Sequence, residues 1–285
     1  MHSVVVTGVS TGIGWGTTKV LIRNGLQVFG SVRKQADADR LTQEFGSAFT
    51  PLLFDITDEA AIQAAALLVR ERLAGETLFG LVNNAGIATA GPLMHQPLEE
   101  FRHQIDVNLV GQLIVTRAFL PLLGTDRALK GDPGRIVNVS SVGGKIAAPF
   151  IGAYTASKHG LEGLSESLRR ELLIYGIDVI IVGPGAVATP IWDKAAQIDA
   201  SAYEHTEYAD ILRRFGENFV QEGRKGFPPE RIGETILTAL ITRSPRVRYA
   251  VVPQAFRNWI IPMLLPRRLV DAVLARSLGL TRPKR

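Results

Sequence analysis

The sequence contains no cysteine among its 285 residues. That absence excludes disulfide bonds, catalysis by a thiolate and zinc held by cysteine. No uncharged apolar run reaches 18 residues and the first predicted strand begins at residue 3, so neither a membrane span nor a signal peptide is expected. The five histidines form no His-Glu-x-x-His motif. We therefore expect a cytoplasmic protein whose chemistry uses no metal.

Acidic side chains are scarce near the end of the chain. Residues 243–285 contain ten arginines and lysines but one acidic residue, so this tail carries a charge of +9. The remainder of the chain carries −4, which gives the whole chain its net charge of +5. Aromatic and aliphatic residues accompany the arginines after residue 256. Such a segment can make a weak peripheral contact with an anionic membrane. It can equally pack on the domain, the pocket mouth or a second subunit. No recognition motif accompanies the charge, so nucleic acid is not expected as a partner.

Apolar runs and turn signals alternate along the chain with helical patterns. We predict strands at residues 3–7, 27–32, 49–54, 78–83, 134–139, 177–183 and 248–252, and helices at 13–24, 36–45, 58–73, 98–122, 152–175 and 229–242. This alternation predicts an α/β fold with a single Rossmann-type domain, in which helices cover both faces of a doubly wound parallel sheet of about seven strands. The catalytic domain is predicted to cover residues 1–255, followed by a basic, amphipathic extension at 256–285.

Candidate functional residues follow the ends of the predicted strands. These residues are Gly8, Arg33, Asp55, Asn83, Ser141 and Pro184. Because the carboxyl ends of parallel strands meet at one edge of a sheet, we expect them to gather there. The longest irregular stretch, residues 186–227, interrupts the alternation and has a predicted helix near 203–221. A stretch of this length is usually a lid or binding segment, although a surface helix is the alternative.

A glycine-rich turn follows the first predicted strand. It reads Gly-x-x-x-Gly-x-Gly over residues 8–14 and leads directly into a predicted helix. A strand, turn and helix in this order can present backbone N–H groups and a helix N-terminus to a phosphate. The same pattern can arise from close packing of a strand on a helix. Its place after the first strand favours nucleotide binding.

Tyr154 and Lys158 are four residues apart, and Ser141 precedes Tyr154 by thirteen residues. Four residues make about one helical turn, so the phenol and the ammonium share a helix face. A cation about 4 Å from a phenolate contributes roughly 4 kcal/mol at an effective dielectric near 20, which could lower a tyrosine pKa by up to about three units. A phenol tuned in this way can exchange protons near neutral pH. Such pairs are also common on solvated helices.

Six short motifs occur in a set order along residues 4–190. They are Thr7-Gly8-x-x-x-Gly12-x-Gly14, Asn83-Asn84-Ala85-Gly86, Asn108, Ser141, Tyr154-x-x-x-Lys158 and Pro184-Gly185-x-Val187-x-Thr189. In this order and spacing the motifs resemble those of the classical short-chain dehydrogenases/reductases, and the details lean toward the steroid- and retinoid-type branch. The resemblance implies an oxidoreductase that moves hydride between a nicotinamide cofactor and a carbonyl, and a homodimer or homotetramer.

The same resemblance implies which residues bind the cofactor. They are Gly8, Ser10, Thr11, Gly12, Ile13, Gly14, Arg33, Asp55, Ile56, Asn83, Ala85, Gly86, Tyr154, Lys158, Pro184, Gly185, Val187 and Thr189. At the end of the second strand, Val32 replaces the aspartate of relatives that prefer NAD, and Arg33 offers a planar fork suited to the 2′-phosphate of NADP. We therefore predict NADPH, with NAD as the second choice.

Two of these cofactor contacts have plain alternatives. Arg33 can be solvated and simply stack on the adenine, which leaves the choice of cofactor weakly set. Asp55 can accept a hydrogen bond from the adenine amino group or cap the next helix, although Asp58 is itself a good cap. For Asp55 we favour the adenine role.

The resemblance also implies a catalytic set. Tyr154 is expected to be the general acid in reduction and the base in alcohol oxidation, with Lys158 lowering its pKa and binding the nicotinamide ribose. Ser141 is expected to donate a hydrogen bond to the substrate oxygen. Asn108 resembles the helix asparagine that holds a water between Lys158 and solvent, although a polar residue that bends a core helix is the alternative. The thirteen-residue separation selects Ser141 rather than Ser140.

The residues expected to line the pocket are mostly apolar. They are Val142, Ala147, Ala148, Pro149, Phe150, Ile151, Ile191 and Trp192. Since no arginine is among them, we expect a small hydrophobic ketone or aldehyde, or the matching alcohol, as substrate. One alternative is an NAD-dependent alcohol or hydroxysteroid dehydrogenase of the same family, and another is a nucleotide-sensing protein without turnover. A sugar-nucleotide epimerase is disfavoured because its Gly-x-x-Gly-x-x-Gly opening is absent.

Overall fold

The computed structural model describes residues 2–190, 192 and 200–281. Seven strands form one sheet in which every neighbouring pair is parallel. The strands are β1 (Ser3–Val6), β2 (Gln27–Val32), β3 (Phe49–Leu53), β4 (Gly80–Asn83), β5 (Arg135–Val139), β6 (Asp178–Pro184) and β7 (Arg248–Val251). Their order across the sheet is β3-β2-β1-β4-β5-β6-β7. The predicted Rossmann-type sheet is confirmed.

Ten α-helical segments accompany the sheet in the part of the chain that the structure describes. They are α1 (Gly12–Arg23), α2 (Gln35–Phe45), α3 (Glu59–Leu73), α4 (Leu98–Ile105), α5 (Gly111–Phe119), α6 (Gly152–Glu171), α7 (Ala209–Arg224), α8 (Pro229–Ile241), α9 (Ile261–Leu264) and α10 (Arg267–Leu278). All seven strands and most of the predicted helices have bounds within two residues of prediction. The predicted helix 203–221 begins at Ala209, because residues 200–203 form a separate 3-10 turn and residues 204–208 form further turns.

The alternation of side chains along each strand builds a core on each face of the sheet. Val5 of β1 belongs to a cluster that includes side chains of α3, α5 and α6. Val4 and Val6 belong to the opposite cluster, which includes side chains of α1, α2 and α8. Successive residues of a strand point to opposite faces, so a run of valines buries both. This explains why β1 is apolar at every position after Ser3.

The predicted helix 98–122 is not continuous. α4 and α5 are joined by a π-helical turn over Asp106–Val110, in which the Gly111 N–H bonds to the Asp106 carbonyl five residues earlier. Asn108 lies in this turn and is completely buried. Single π-turns of this kind are frequent at functional sites. The turn therefore marks where this helix meets the candidate site.

Strand order places a crevice at the carboxyl edge of the sheet. The chain builds β1, β2 and β3 outward in one direction and then returns to place β4 on the other side of β1. The loops after β1 and β4 therefore leave the sheet in opposite directions. Ligands of open α/β sheets bind at such a reversal, so the loops after residues 7 and 83 frame the expected site.

The C-terminal extension packs partly on the domain. Leu278 and Leu280 contact the apolar cluster of Phe150, Tyr203 and neighbours, as the second alternative for this segment predicted. Other side chains stay in solvent, with Phe256 70% exposed. None of the helices in the described ranges is long and apolar enough to cross a membrane.

Candidate active site

The glycine-rich turn presents the N-terminus of α1 to the crevice. Gly8 has φ +70°, and a Cβ there would lie 2.9 Å from Ala85 Cα. Both features require glycine, because L side chains rarely adopt that conformation and the loop after β4 leaves no space. Thr11 stands at the N-cap with extended backbone, and Gly12, Ile13 and the following residues begin the helix. Unpaired N–H groups at this end suit a phosphate.

Two side chains tie this turn to the loop after β4. The buried Thr7 hydroxyl accepts hydrogen bonds from the N–H groups of Asn84 at 2.9 Å and Ala85 at 3.0 Å. Asn84 Nδ2 donates to the carbonyls of Thr7 at 2.8 Å and Gly8 at 3.1 Å. Neither side chain was predicted to have this role. A polar residue directly after a buried valine run was the available signal.

A row of three buried amide side chains on the helix α4–α5 holds the following segment. Gln104 bonds to Thr89, where its Oε1 accepts from the Thr89 N–H at 3.0 Å and its Nε2 donates to the hydroxyl at 2.6 Å. Asn108 pairs with both backbone groups of Ile87, each at 2.8 Å. Gln112 donates to the carbonyl of Ala85. The row positions residues 85–89 along the crevice.

The predicted contact residues Asn83 and Gly86 lie differently in this loop. Asn83 is completely buried, and its Nδ2 donates to Thr116 at 2.9 Å and Asn138 at 2.8 Å. Its side chain therefore supports the sheet, which leaves only its main chain for a cofactor. Gly86 is exposed, and a Cβ there would lie 3.1 Å from Asn108 Oδ1 and 3.8 Å from Lys158 Nζ. Gly86 thus adjoins the catalytic set.

The loop after β6 closes on the glycine turn. Pro184 is buried at the strand end, and Gly185 donates its N–H to the Val251 carbonyl at 2.9 Å. Val187 is buried and bridges to Phe227. Thr189 reaches the turn, because a Cβ on Gly12 would lie 3.3 Å from its Cγ2. The structure therefore brings the glycine turn and the loop after β6 together, as predicted for the cofactor site.

The residues predicted at the adenosine end lie at an exposed rim. Arg33 pairs with Asp55 at 3.7 Å. Burial raises the pKa of Asp55, but the hydrogen bonds from Thr57 and the charge of Arg33 outweigh it and lower the pKa overall. Ile56 is buried in the core, so its side chain does not reach the rim. Arg40, which was not predicted, donates to the Ser10 carbonyl at 2.7 Å and adds a second cation beside the turn.

Ser141 and Tyr154 meet at the carboxyl end of β5. Ser141 follows the strand and its Oγ accepts from the Gly143 N–H at 3.0 Å. Tyr154 lies in the first turn of α6, and a Cβ on Gly143 would be 3.3 Å from its ring and 3.4 Å from Ser141 Oγ. Ser141 is also close enough to the Tyr154 phenol to lower the pKa of that phenol. The predicted pair of hydroxyls is therefore brought together.

The electrostatic expectation for Tyr154 is wrong for the protein chain alone. Burial raises the pKa of the phenol, and the Ser141 hydrogen bond only partly opposes this effect. Lys158 Nζ lies 5.8 Å from the phenol ring centroid and donates to the Val139 carbonyl at 2.9 Å. Its charge is therefore directed at a backbone oxygen and not at the phenol. Tyr154 is a protonated acid at neutral pH.

Lys158 is itself strongly perturbed. Its side chain is 4% exposed, and burial lowers the pKa of its ammonium to about 8, although the charge of Glu162 opposes the shift. Asn108 donates to Ser157 Oγ at 3.0 Å, one residue before Lys158. Perturbed lysines of this kind are frequent in functional sites.

A cavity of about 620 Å³ shares Ile151, Leu212 and Phe215 with the apolar cluster against which Tyr154 packs. It is lined by Ala88, Thr89, Ala90, Ile151, Leu212, Arg213, Phe215, Gly216, Glu217, Phe219, Val220, Gln221, Arg224 and Lys225. Of the expected pocket residues that the structure describes, Ile151 lines this cavity, and Ile191 lies outside the described residues. The rest of the wall comes from α7 and residues 88–90.

Two details of this wall differ from expectation. Arginine and lysine side chains occur in it, although Arg213 pairs with Asp210 at 2.6 Å and Lys225 with Glu222 at 3.1 Å. Trp192 links α7 to the loop after β6, because it packs edge-on against Phe219 and donates to the Val187 carbonyl at 2.6 Å.

Comparison with known families decides the class of protein. The family model described as short chain dehydrogenase matches residues 2–199. The chain belongs to the short-chain dehydrogenase/reductase family. The family predicted from the six motifs is confirmed, and the enzyme is an NAD(P)-dependent oxidoreductase that acts on CH–OH and C=O groups.

Curated relatives of this dehydrogenase/reductase cover nearly its whole length. The NADPH-dependent 3-dehydrocapnine reductase of Ornithobacterium rhinotracheale is 35% identical over 278 residues, 98% of each chain. Retinol dehydrogenase 5 of Mus musculus is 36% identical over 95% of this chain and 87% of that protein. The lean toward retinoid-type relatives is therefore confirmed. Among solved structures, a short-chain dehydrogenase from Streptomyces avermitilis matches with a TM-score of 0.73 and 26% identity, over 96% of this chain and 94% of the other.

Proposed function

We propose that this enzyme interconverts a hydrophobic ketone or aldehyde and its alcohol, with NADPH as the preferred cofactor. One observation carries the proposal: Tyr154, whose pKa Ser141 influences, packs against the apolar cluster that contains Ile151, and Ile151 also belongs to the wall of a largely apolar cavity. A carbonyl that enters from that cavity can reach a proton donor and a hydrogen-bond donor together.

The side chains would divide the work of reduction between them. Nicotinamide supplies a hydride to the carbonyl carbon when bound. Tyr154 donates its phenolic proton to the carbonyl oxygen, and its raised pKa keeps that proton available at neutral pH. Ser141 donates a hydrogen bond to the same oxygen as charge develops there. Lys158, whose ammonium lies near Gly86, would bind the ribose hydroxyls of the nicotinamide half of the cofactor.

The residues of the crevice fit a dinucleotide. A Cβ at Gly8 would fill the space against Ala85, and the N-terminus of α1 offers free N–H groups to a pyrophosphate. Arg33 supplies a cation at the rim for a 2′-phosphate, whereas Arg40 pairs with Asp37 and Glu44 and holds the Ser10 carbonyl. The relative named as an NADPH-dependent reductase supports the same choice. NAD remains the second choice, because Asp55 already neutralises part of the charge of Arg33.

The substrate is proposed to be a lipid-like carbonyl compound. The cavity of about 620 Å³ is large enough for an extended apolar molecule, and Leu212, Phe215, Phe219 and Val220 of α7 form one wall. Two relatives are named for retinol and for 3-dehydrocapnine. Residues 186–227 therefore stay proposed as the substrate-covering segment. Assembly into a homodimer or homotetramer also stays a proposal, to be checked by light scattering.

The test is a screen of NADPH oxidation against retinals, 3-dehydrocapnine, steroids, aliphatic ketones and quinones, repeated with NADH. We expect turnover of at least one long-chain or polyene carbonyl, with higher kcat/KM for NADPH. Tyr154→Phe keeps the ring and should abolish turnover while it leaves NADPH binding in place. Binding of NADPH without turnover of any carbonyl would instead favour a nucleotide-sensing protein, and equal kcat/KM for both cofactors would refute the preference.

A further inference from the structure

A buried ion pair lies directly behind the catalytic residues. Glu162 is one helical turn after Lys158 on α6, and its side chain is 2% exposed. Arg248 of β7 donates from Nε to both carboxylate oxygens of Glu162 at 3.1 and 3.0 Å, and from Nη2 to Oε1 at 3.0 Å. A bidentate contact of this kind fixes both partners in one geometry.

The guanidinium of Arg248 also reaches two further parts of the molecule. Its Nη2 donates to the main-chain carbonyl of Ser141 at 3.2 Å. Its plane lies on the ring of Trp259, 4.6 Å from the centroid, in the C-terminal extension. One side chain thus joins the catalytic serine, the lysine-bearing helix and the extension.

The backbone around the pair is shaped to admit it. A Cβ on Gly183 of β6 would lie 2.4 Å from Arg248 Nη2, and one on Gly144 would lie 2.9 Å from Glu162 Cγ. Both distances are shorter than the closest approach of non-bonded heavy atoms, so the ion pair occupies space that a side chain at Gly183 or Gly144 would fill. Glu162 therefore lies directly under the turn that follows Ser141, where an ion pair that only stabilised the sheet would not have to reach.

We propose that Arg248 and Glu162 are positioning residues of this enzyme: together they hold the main chain of Ser141 and the charge environment of Lys158, and Trp259 couples the C-terminal extension to them. The kinetic test of this inference rests on the proposed function. The titration of Lys158 does not, because it is measured on the protein without cofactor.

The charges around the pair give the proposal a signed consequence. Among the described residues, Lys158 faces Tyr154 and Glu162, and Glu162 also faces Arg248 and Lys145, the latter at 3.4 Å. Lys145 in turn lies 4.0 Å from the exposed carboxylate of Glu166. Removing the negative member should disfavour the ammonium of Lys158, and removing the positive member should favour it.

The experiment compares Glu162→Gln and Arg248→Gln. The titration of Lys158 is followed by NMR of ¹³C-labelled lysine, with the resonance assigned by its loss in Lys158→Met. We expect the midpoint to fall in Glu162→Gln and to rise in Arg248→Gln, each by about one pH unit or more. With the substrate found in the screen, both variants should lose kcat by up to about 100-fold, because the serine is displaced. Arg248→Lys, which keeps the charge without the fork, should restore the midpoint more than the rate.

Arg135→Gln is the matched control. Arg135 is about as buried as Arg248 and pairs with Asp178 at 3.5 Å, but it lies at the amino end of β5, away from the candidate site at the carboxyl ends of the strands. It should lose stability with neither a shift of the Lys158 midpoint nor a specific loss of kcat. Shifts of both pair variants in one direction, or the same effects in Arg135→Gln, would overturn the proposal.

Trp259→Leu keeps the buried pair and covers the case in which the pair variants do not fold. We expect kcat to fall roughly threefold to tenfold with an unchanged Kd for NADPH. An unchanged kcat would refute the coupling to the extension. If the unaltered enzyme reduces no carbonyl, the proposed function fails, while the NMR midpoints still decide the roles of Arg248 and Glu162.

Discussion

Ser141 and Ser140 are adjacent, yet alanine should have opposite effects at the two positions. Ser141 Oγ contacts the Tyr154 phenol and caps the Gly143 N–H at 3.0 Å. Ser140 is 4% exposed, and its hydroxyl has no hydrogen-bond partner among the described residues. Ser141→Ala therefore removes a donor aimed at the reacting oxygen. Ser140→Ala removes a buried polar group that gains nothing from its burial.

The magnitudes separate the two variants clearly. Loss of a single donor to a developing oxyanion lowers kcat by about 10²–10³, or roughly 3–4 kcal/mol. Ser141→Ala should also lower the free energy of unfolding by about 1 kcal/mol, because a cap is lost. Ser140→Ala should raise that free energy by about 1 kcal/mol or more, since an unpaired buried hydroxyl is costly, and should leave kcat within about twofold.

The assay is steady-state NADPH oxidation at saturating substrate, paired with urea unfolding of each variant. The m-value should remain unchanged, so that shifts of the midpoint report stability alone. A severe loss of kcat in Ser140→Ala together with full activity of Ser141→Ala would refute the assignment of the catalytic serine.

Three further results are expected. The pKa of Lys158 is about 8 in the folded protein, below its ordinary 10.5, so the unfolded chain binds more protons between pH 8 and pH 10.5. The free energy of unfolding should therefore rise by about 2 kcal/mol from pH 8 to 10, and Lys158→Met should flatten that rise. Gly8→Ala, at φ +70°, should lower the free energy of unfolding by about 1–3 kcal/mol, whereas Gly163→Ala, with open space around it, should not destabilise. Arg33→Ala should raise KM for NADPH about tenfold and leave KM for NADH unchanged.

Each of these results has a contradicting outcome. An equally steep pH limb in Lys158→Met would assign the protons to another group. Equal loss of stability in the two glycine variants, measured by thermal unfolding, would remove the argument from backbone conformation. A parallel rise of KM for both cofactors would place Arg33 against the adenine and not against the 2′-phosphate.

Local signals were sufficient for the sheet. Buried strands such as residues 3–6 are apolar at nearly every position, and a glycine follows this strand at residue 8, so its bounds follow from the chain itself. The spacing of Tyr154, Lys158 and Ser141 is also local, but it predicted roles for them only through the family resemblance of the six ordered motifs. These features survive without knowledge of distant partners.

The walls and supports of the site depend on contacts that no local pattern contains. The cavity wall comes from α7, whose packing brings Phe215 and Phe219 to the site from more than 60 positions beyond Tyr154. Arg248 reaches Glu162 across 86 positions of sequence, and nothing near either residue indicates the other. The raised pKa of Tyr154 likewise follows from burial, which a helix-face argument does not include.

The three amide side chains of the helix α4–α5 match the repeat distance of a helix to the repeat distance of the extended chain that they bind. Gln104, Asn108 and Gln112 are spaced by four residues, or about 6 Å along a helix, while their partners at Thr89, Ile87 and Ala85 are spaced by two residues, or about 6.6 Å along an extended chain. In a regular helix, residues four apart drift sideways by about 40° at each step, so the third amide would leave the line. The π-turn at Asp106–Val110 lengthens one turn and cancels part of that drift. Shortening this segment by one residue would rotate Gln112 by about 100° relative to Gln104 and release the loop at Ala85.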